Sequence, residues 1–181
     1  NRHELTYANG KLRESYRIAC GNFHGETTLW YPDGGVLSKT NNLNGEREGA
    51  YEYHEIDQVV TSRGNYEAGK RNGRWQGFHD NGKPYSVGHY LAGESDSTWS
   101  YFYDNGKPSS VSFYRGDVRN GVSTYYAPNG QPLLEKTFYN DDMVSYRPLN
   151  PDGTPQCDWV KFTGTATIDI KYPDGSAAWH E

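Results

Sequence analysis

The side chains that could do chemistry are few and scattered. The six histidines are His3, His24, His54, His79, His89 and His180. No pair has the HxH or HxxxH spacing that sets two imidazoles on one face, and a zinc site needs three or four converging ligands. His79 abuts a turn signal and His54 holds nearly the same place in a repeat, so both read as solvent-facing strand ends. The acidic pairs Asp141-Asp142 and Glu46/Glu48 point to calcium or to general acid–base work, yet no D-x-D-x-D-G pattern accompanies them. Asp141-Asp142 falls where a glycine turn recurs in other repeats, and turn chemistry accounts for it. Ser109-Ser110 lack a glycine elbow, and GxGxxG and Walker patterns are absent. The chain therefore reads as non-enzymatic, with no catalytic residue, no metal and no cofactor.

The two cysteines, Cys20 and Cys157, lie more than five repeats apart. At about 4.8 Å per strand they stand on the order of 50 Å from each other in an extended array. A disulfide needs Cα atoms within about 7 Å, so two free thiols are expected unless the array curls end to end. The cysteine count leaves the compartment open.

The elements that must position these residues follow from composition. The chain has 181 residues, with 21 Gly, 16 Tyr, 5 Trp and one Met. Leu, Ile, Val and Phe make up only about 15% of it. The apolar surface is thus carried by Tyr and Trp. That excludes helical bundles, coiled coils and transmembrane helices, which need long aliphatic runs, and favours short strands joined by glycine turns. The formal net charge of −5 comes without any Lys/Arg cluster, which argues against nucleic acid. The single Met is Met143; a processed or trimmed chain is expected, from which an export signal could already have been removed.

Turn tripeptides end at Gly10, Gly34, Gly82, Gly106, Gly130, Gly153 and Gly175, spaced 24, 48, 24, 24, 23 and 22 residues apart. The doubled gap brackets a degenerate unit whose turn is expected near Asp57-Gln58. Asn-Gly and Asp-Gly are the strongest signals for two-residue type I′ hairpins, so these are expected to be the tight turns. A looser turn is expected around Gly21, Gly45, Gly69, Gly93 and Asp117. Nine residues before each turn glycine stand Gly25, Gly49, Gly73, Ser97 and Gly121. The expectation is one β-hairpin per unit, well over 40% strand and almost no helix over residues 20–140. With two-residue loops, Gly73 faces Tyr90, Trp75 faces Gly88 and Phe78 faces Tyr85. The same register pairs Ser97 with Tyr114, Trp99 with Ser112, Phe102 with Ser109, Gly121 with Phe138 and Tyr126 with Leu133. Large rings thus repeatedly cover Gly or Ser across the ladder.

Gly73-x-Trp75-x-x-Phe78-x-x-x-Gly82-Lys83, with Tyr66-x-x-Gly69 before it, resembles the MORN repeat. It is most similar to the variant form of bacterial antitoxin-like MORN proteins. Trp99-x-x-Phe102-x-x-x-Gly106-Lys107 repeats the pattern, with Ser97 in place of the first glycine. The likeness covers about residues 20–140. It implies an all-β, elongated single-layer antiparallel sheet of consecutive β-hairpin repeats: one array over 1–181, with a partial unit at 1–19, clear repeats over 20–140, and a divergent end at 141–181. That end, with Cys157, Trp159 and Trp179, reads as a cap, since repeat arrays need atypical ends.

Strand alternation sets Trp75, Trp99, Tyr101, Tyr103 and Tyr125 on one face. Trp and Tyr dominate binding hot spots, so these five are the candidate partner-binding residues. The resemblance implies a binding scaffold. The first reading is a protein-binding module of the antitoxin or immunity type, neutralising a bacterial toxin or effector, with an acidic balance suited to a basic partner. The alternative is a structural or envelope scaffold associated with membrane, against which no basic face is visible to meet anionic lipid. The compartment stays open between bacterial cytoplasm and periplasm or envelope.

Overall fold

The computed structural model describes residues 1–161, together with the backbone of 169–171 and 177–180. The turn at Pro173-Asp174-Gly175 lies outside the described residues, as does the side chain of Trp179. More than half of the described residues are in strands and none is in a helix.

Two compact units divide the chain, residues 1–94 and 95–181. The first contains β1 (Arg2–Thr6), β2 (Leu12–Ala19), β3 (Asn22–Phe23), β4 (Gly25–Trp30), β5 (Val36–Leu43), β6 (Glu46–His54), β7 (Val60–Glu67), β8 (Lys70–Phe78) and β9 (Pro84–Leu91). They pair in chain order, with the short β3 set beside β2. The second takes all but the first residue of β10 (Glu94–Phe102) and continues through β11 (Pro108–Arg115), β12 (Val118–Arg119), β13 (Gly121–Tyr126), β14 (Pro132–Tyr139), β15 (Asp142–Pro148) and β16 (Val160–Lys161). Here too the pairing follows chain order, with β12 beside β11. A separate hairpin joins β17 (Asp169–Lys171) to β18 (Ala177–His180). Every described pair is antiparallel, and each unit is a run of consecutive hairpins, as the repeat predicts.

The two kinds of turn exchange the roles expected of them. At the Asn-Gly and Asp-Gly sites the loop has three residues, not two. His79 N–H donates to the Lys83 carbonyl at 2.8 Å, and Gly82 N–H donates back to the His79 carbonyl at 2.8 Å. Gly82 and Gly106 have φ of 76° and 88°, while the preceding Asn81 and Asn105 are not among the positive-φ residues. This is a type I turn closed by a glycine bulge. The Asn side chain serves differently: Asn81 Oδ1 accepts from Lys83 N–H at 3.0 Å and Asn105 Oδ1 from Lys107 N–H at 2.8 Å. The residue is chosen for this local cap rather than for left-handed backbone. The degenerate unit turns where expected, with Gln58 at φ 68° in the glycine's place and its N–H donating to Glu55.

The turns expected to be loose are the two-residue ones. Cys20-Gly21, Asn44-Gly45, Ala68-Gly69, Ala92-Gly93, Gly116-Asp117 and Asn140-Asp141 all have positive φ at both positions, which is the type I′ requirement. Successive hairpins are joined here: Gly69 N–H donates to Arg47, Gly93 to Arg71 and Asp141 to Arg119.

Register follows the expectation away from the turn and departs from it beside the turn. Gly73 pairs with Tyr90, Trp75 with Gly88, Ser97 with Tyr114, Trp99 with Ser112 and Gly121 with Phe138. Phe78, however, pairs with Pro84, Phe102 with Pro108 and Tyr126 with Pro132. The third loop residue shifts the ladder by one, and a bulge at Tyr85, Ser109 or Leu133 restores it.

A single sheet layer buries little. Tyr66, Trp75, Trp99, Leu134, Phe138 and Leu149 are the large buried apolar residues among those described, and Ser38, Ser86, Ser112 and Ser123 are buried with them. Rings lie over small residues, so the core is a file along the sheet rather than a central mass.

Candidate functional site

In the first unit the file centres on Trp75, which is 4% exposed. Its ring centroid lies 5.6 Å from Tyr51, 5.3 Å from Tyr66 and 5.8 Å from Tyr90. Its indole N–H donates to the Asn65 carbonyl at 3.0 Å. The indole lies on the neighbouring Gly64: a Cβ there would stand 2.3 Å from the ring. The glycine beneath the ring is thus on β7, beside the cross-strand Gly88 that the register predicts. Gly64 permits the close approach, and the approach is what buries the ring.

Arginines complete the file, and sequence reasoning missed them. The Arg71 guanidinium lies 4.8 Å from the Trp75 centroid and 5.2 Å from that of Tyr90, and donates to the Tyr90 hydroxyl at 3.0 Å. Arg47 repeats this one period earlier, 5.1 Å from the Tyr66 ring and 3.0 Å from its hydroxyl. Arg119 repeats it in the second unit, 4.2 Å from Phe138. The signal was present: Arg47, Arg71 and Arg119 each precede a ring by 19 residues. Burial pushes the Tyr51 phenol up, and neighbouring Tyr66 adds to this, while Arg47 and Arg71 pull it down. Desolvation draws Arg71 down, but hydrogen bonds with Tyr66 and Tyr90 outweigh it and raise its pKa.

The second unit holds the other four candidate residues. Trp99 is 6% exposed and stacks on Tyr101 at 6.3 Å and 27°. Tyr101 and Tyr125 are half-buried. Both pair with Ser110, one from each side, so their rings share a face about 10 Å apart, two strand spacings. Tyr125 packs on the buried Leu134, and the Lys136 ammonium lies 5.5 Å from its ring. Tyr103 is committed differently. Its hydroxyl donates to the Tyr126 carbonyl at 2.7 Å, as Tyr7 does to Trp30 and Tyr31 to His54. These tyrosines bind one turn to the next. The structure therefore brings Trp99, Tyr101 and Tyr125 together, sets Tyr103 in a turn, and keeps Trp75 within the first unit's own file.

Two of the four acidic residues singled out in the sequence, Asp141 and Glu48, bind backbone at turns. Asp141 Oδ1 accepts from Arg119 N–H at 2.9 Å and from Arg119 Nε at 3.2 Å, which holds its carboxyl below the usual range. Glu48 accepts from Ala68 N–H at 2.9 Å. No group of three or more His, Cys, Asp or Glu that could hold a metal occurs among the described residues. Cys20 and Cys157 are free and exposed.

Hairpin repeats of fixed period, carrying a ring-and-guanidinium file, define a repeat-built binding or scaffold module. Two segments, residues 71–92 and 119–141, match the MORN repeat variant. Each begins at a stacking arginine and runs to the next I′ turn. The stretch between them, where Ser95 and Ser97 replace arginine and glycine, lies outside both matches. No curated protein matches the chain.

Proposed function

We propose that this chain is a non-catalytic protein-binding module whose partner docks on the aromatic face of the second unit. The observation that carries the reading is the row Tyr101–Ser110–Tyr125, two half-buried phenols set on buried Trp99 and Leu134. Large rings held by a rigid ladder give contact area with little entropy lost on ordering. Trp99 acts as the foundation of this surface, Tyr101 and Tyr125 as its contacts, and Tyr103 as the tie that fixes the adjacent turn. Trp75 performs the foundation role in the first unit.

The finer reading is a neutraliser of a basic bacterial toxin or effector. It rests on the net charge of −5 and on the resemblance of the Gly73-x-Trp75 pattern noted in the sequence, while the matched model itself is the MORN repeat variant. In the first unit, Lys39, Glu52 and Arg63 oppose one another on successive strands. That face is complementary within itself rather than basic, which favours a protein over anionic lipid.

The test is co-expression with the product of the neighbouring gene, followed by binding measurements on Tyr101→Ala and Tyr125→Ala. The expected result is a folded protein by circular dichroism with binding weakened by about 2 kcal/mol or more. Full-strength binding by both folded variants would overturn the site.

A further inference from the structure

In the first unit, the repeat of Thr27 lacks the ring that the next two repeats carry at the same place, Tyr51 half-buried and Trp75 buried. Trp75 stands seven residues before its turn glycine, as Trp99 does in the next repeat; Tyr51 holds the equivalent place one period earlier and Thr27 the place before that. Where Thr27 stands, a groove of about 320 Å³ opens on the sheet. Its lining includes Phe23, Thr27, Leu29, Thr40, Tyr51 and Tyr53, the mixture of rings, aliphatics and hydroxyls that suits a planar guest. The volume lies in the range of ligand pockets, roughly 300–1,000 Å³. Glu14 from β2 and Arg47 from β6 stand on the strands bordering it. Arg47 already lies against the Tyr51 and Tyr66 rings, in the relation that Arg71 bears to Trp75. Thr27 is held by Asn42, whose amide donates to its hydroxyl at 2.9 Å.

We propose that this groove seats an aromatic side chain of a protein partner, with an acidic group of that partner beside Arg47. The guest supplies from outside the ring that Trp75 and Trp99 supply from within. The place that Arg71 holds before Trp75 is taken here by Phe23, so a guest ring meets Phe23 and Tyr51. Arg47 reaches the groove from the following repeat, where a cation against a ring is worth more as water is excluded. Charge complementarity sets the flank, because Arg47 is the groove's cation. This proposal rests on the protein-binding reading above and adds a second contact point, on the first unit.

The experiment titrates the whole chain with N-acetyl-tryptophan, N-acetyl-tryptophanamide, N-acetyl-leucinamide and free indole, followed by amide chemical shifts. The expected result is saturable shifts at Thr27, Leu29, Thr40 and Tyr51, with Kd on the order of 1 mM for the tryptophan probes. The carboxylate form should bind several-fold tighter than the amide. Leucinamide matching the tryptophan probes, or no saturable shift at these residues, overturns the proposal. Free indole binding tighter than both acylated probes assigns the groove to a small molecule and also overturns it. Thr27→Trp supplies the ring from the chain itself. It should weaken probe binding about tenfold or more and raise the unfolding midpoint by about 2–4 °C. A lowered midpoint with probe binding intact counts against a ring-shaped groove; if the variant does not fold, the wild-type titration decides. The two readings fail separately. Loss of partner binding by Tyr101→Ala without probe binding removes only the groove, and probe binding with an unaffected Tyr101→Ala removes only the second-unit site.

Discussion

Single residues in this protein act through the contact between a ring and the small residue beneath it. A Cβ at Gly64 would stand 2.3 Å from the Trp75 ring, and the ring is boxed in by Tyr51, Tyr66, Tyr90 and Arg71. Gly64→Ala should therefore destabilise by about 1–3 kcal/mol through overpacking, read as a lowered urea midpoint. A second residue reports on its own surroundings by titration. The Tyr31 hydroxyl is pushed up to about 12 by desolvation, by hydrogen bonding with Tyr53, and by the charges of Tyr53, Glu55 and Asp33. A phenol whose folded pKa lies above its ordinary value of 10.0 favours folding fully below pH 10, and that contribution fades as pH rises from 10 toward 12. Phenolate absorbance should show a late-ionising fraction to which Tyr31 contributes, and Tyr31→Phe should reduce that fraction while leaving the raised Tyr51 in place.

At the scale of elements, the hairpin depends on left-handed backbone at fixed positions. Gly82 and Gly106 have φ of 76° and 88°, and nothing stands within 4 Å of a Cβ built on Gly82. Strain alone, not crowding, then decides the cost of a side chain there. Gly82→Val should destabilise by about 1–3 kcal/mol, with increased amide exchange confined to the β8–β9 hairpin and its immediate neighbours, because repeats contact mainly what is adjacent. The opposite sign is expected at Ser97. It sits at φ 62° where four other repeats have glycine at 72–81°, and it is exposed. Ser97→Gly should stabilise by about 1 kcal/mol by removing the left-handed penalty, seen as a raised thermal midpoint.

At the scale of the whole molecule, net charge and aromatic surface divide the labour of recognition. For the basic partner proposed above, a net charge of −5 would act at long range and the rings in contact would determine how slowly it leaves. Asp96→Asn should slow association at low salt while leaving dissociation nearly unchanged. Tyr125→Ala should do the reverse, speeding dissociation with little effect on the salt dependence of association. Stopped-flow measurements at two ionic strengths separate them; an Asp96→Asn effect on dissociation alone would contradict this division.

The repeat period, the all-β class and the antiparallel hairpins were legible in the residues, because turn glycines recur at 22–24 positions, once at 48, beside alternating rings. Such signals are local: a glycine bulge or a ring opposite Gly88 needs only its own hairpin. The turn types were not legible, since Asn-Gly suits both a two-residue I′ loop and a three-residue loop with a bulge. The choice fell to the ladder, which must pair Phe78 with Pro84 while keeping Trp75 opposite Gly88. Nor could the pattern of alternation say which rings are buried. It placed Trp99 and Tyr101 on one face, but their different exposures come from neighbours contributed by other strands. The arginine file was written at a spacing of 19 residues, across two strands and a turn, and only tertiary packing reveals that such a spacing sets a guanidinium on a ring. The gap at Thr27 is a substitution in sequence and becomes a groove only when the strands beside it carry Phe23, Tyr51 and Arg47 to its edge. Local backbone preference is encoded residue by residue, whereas burial is a property of what the neighbouring hairpins bring into contact.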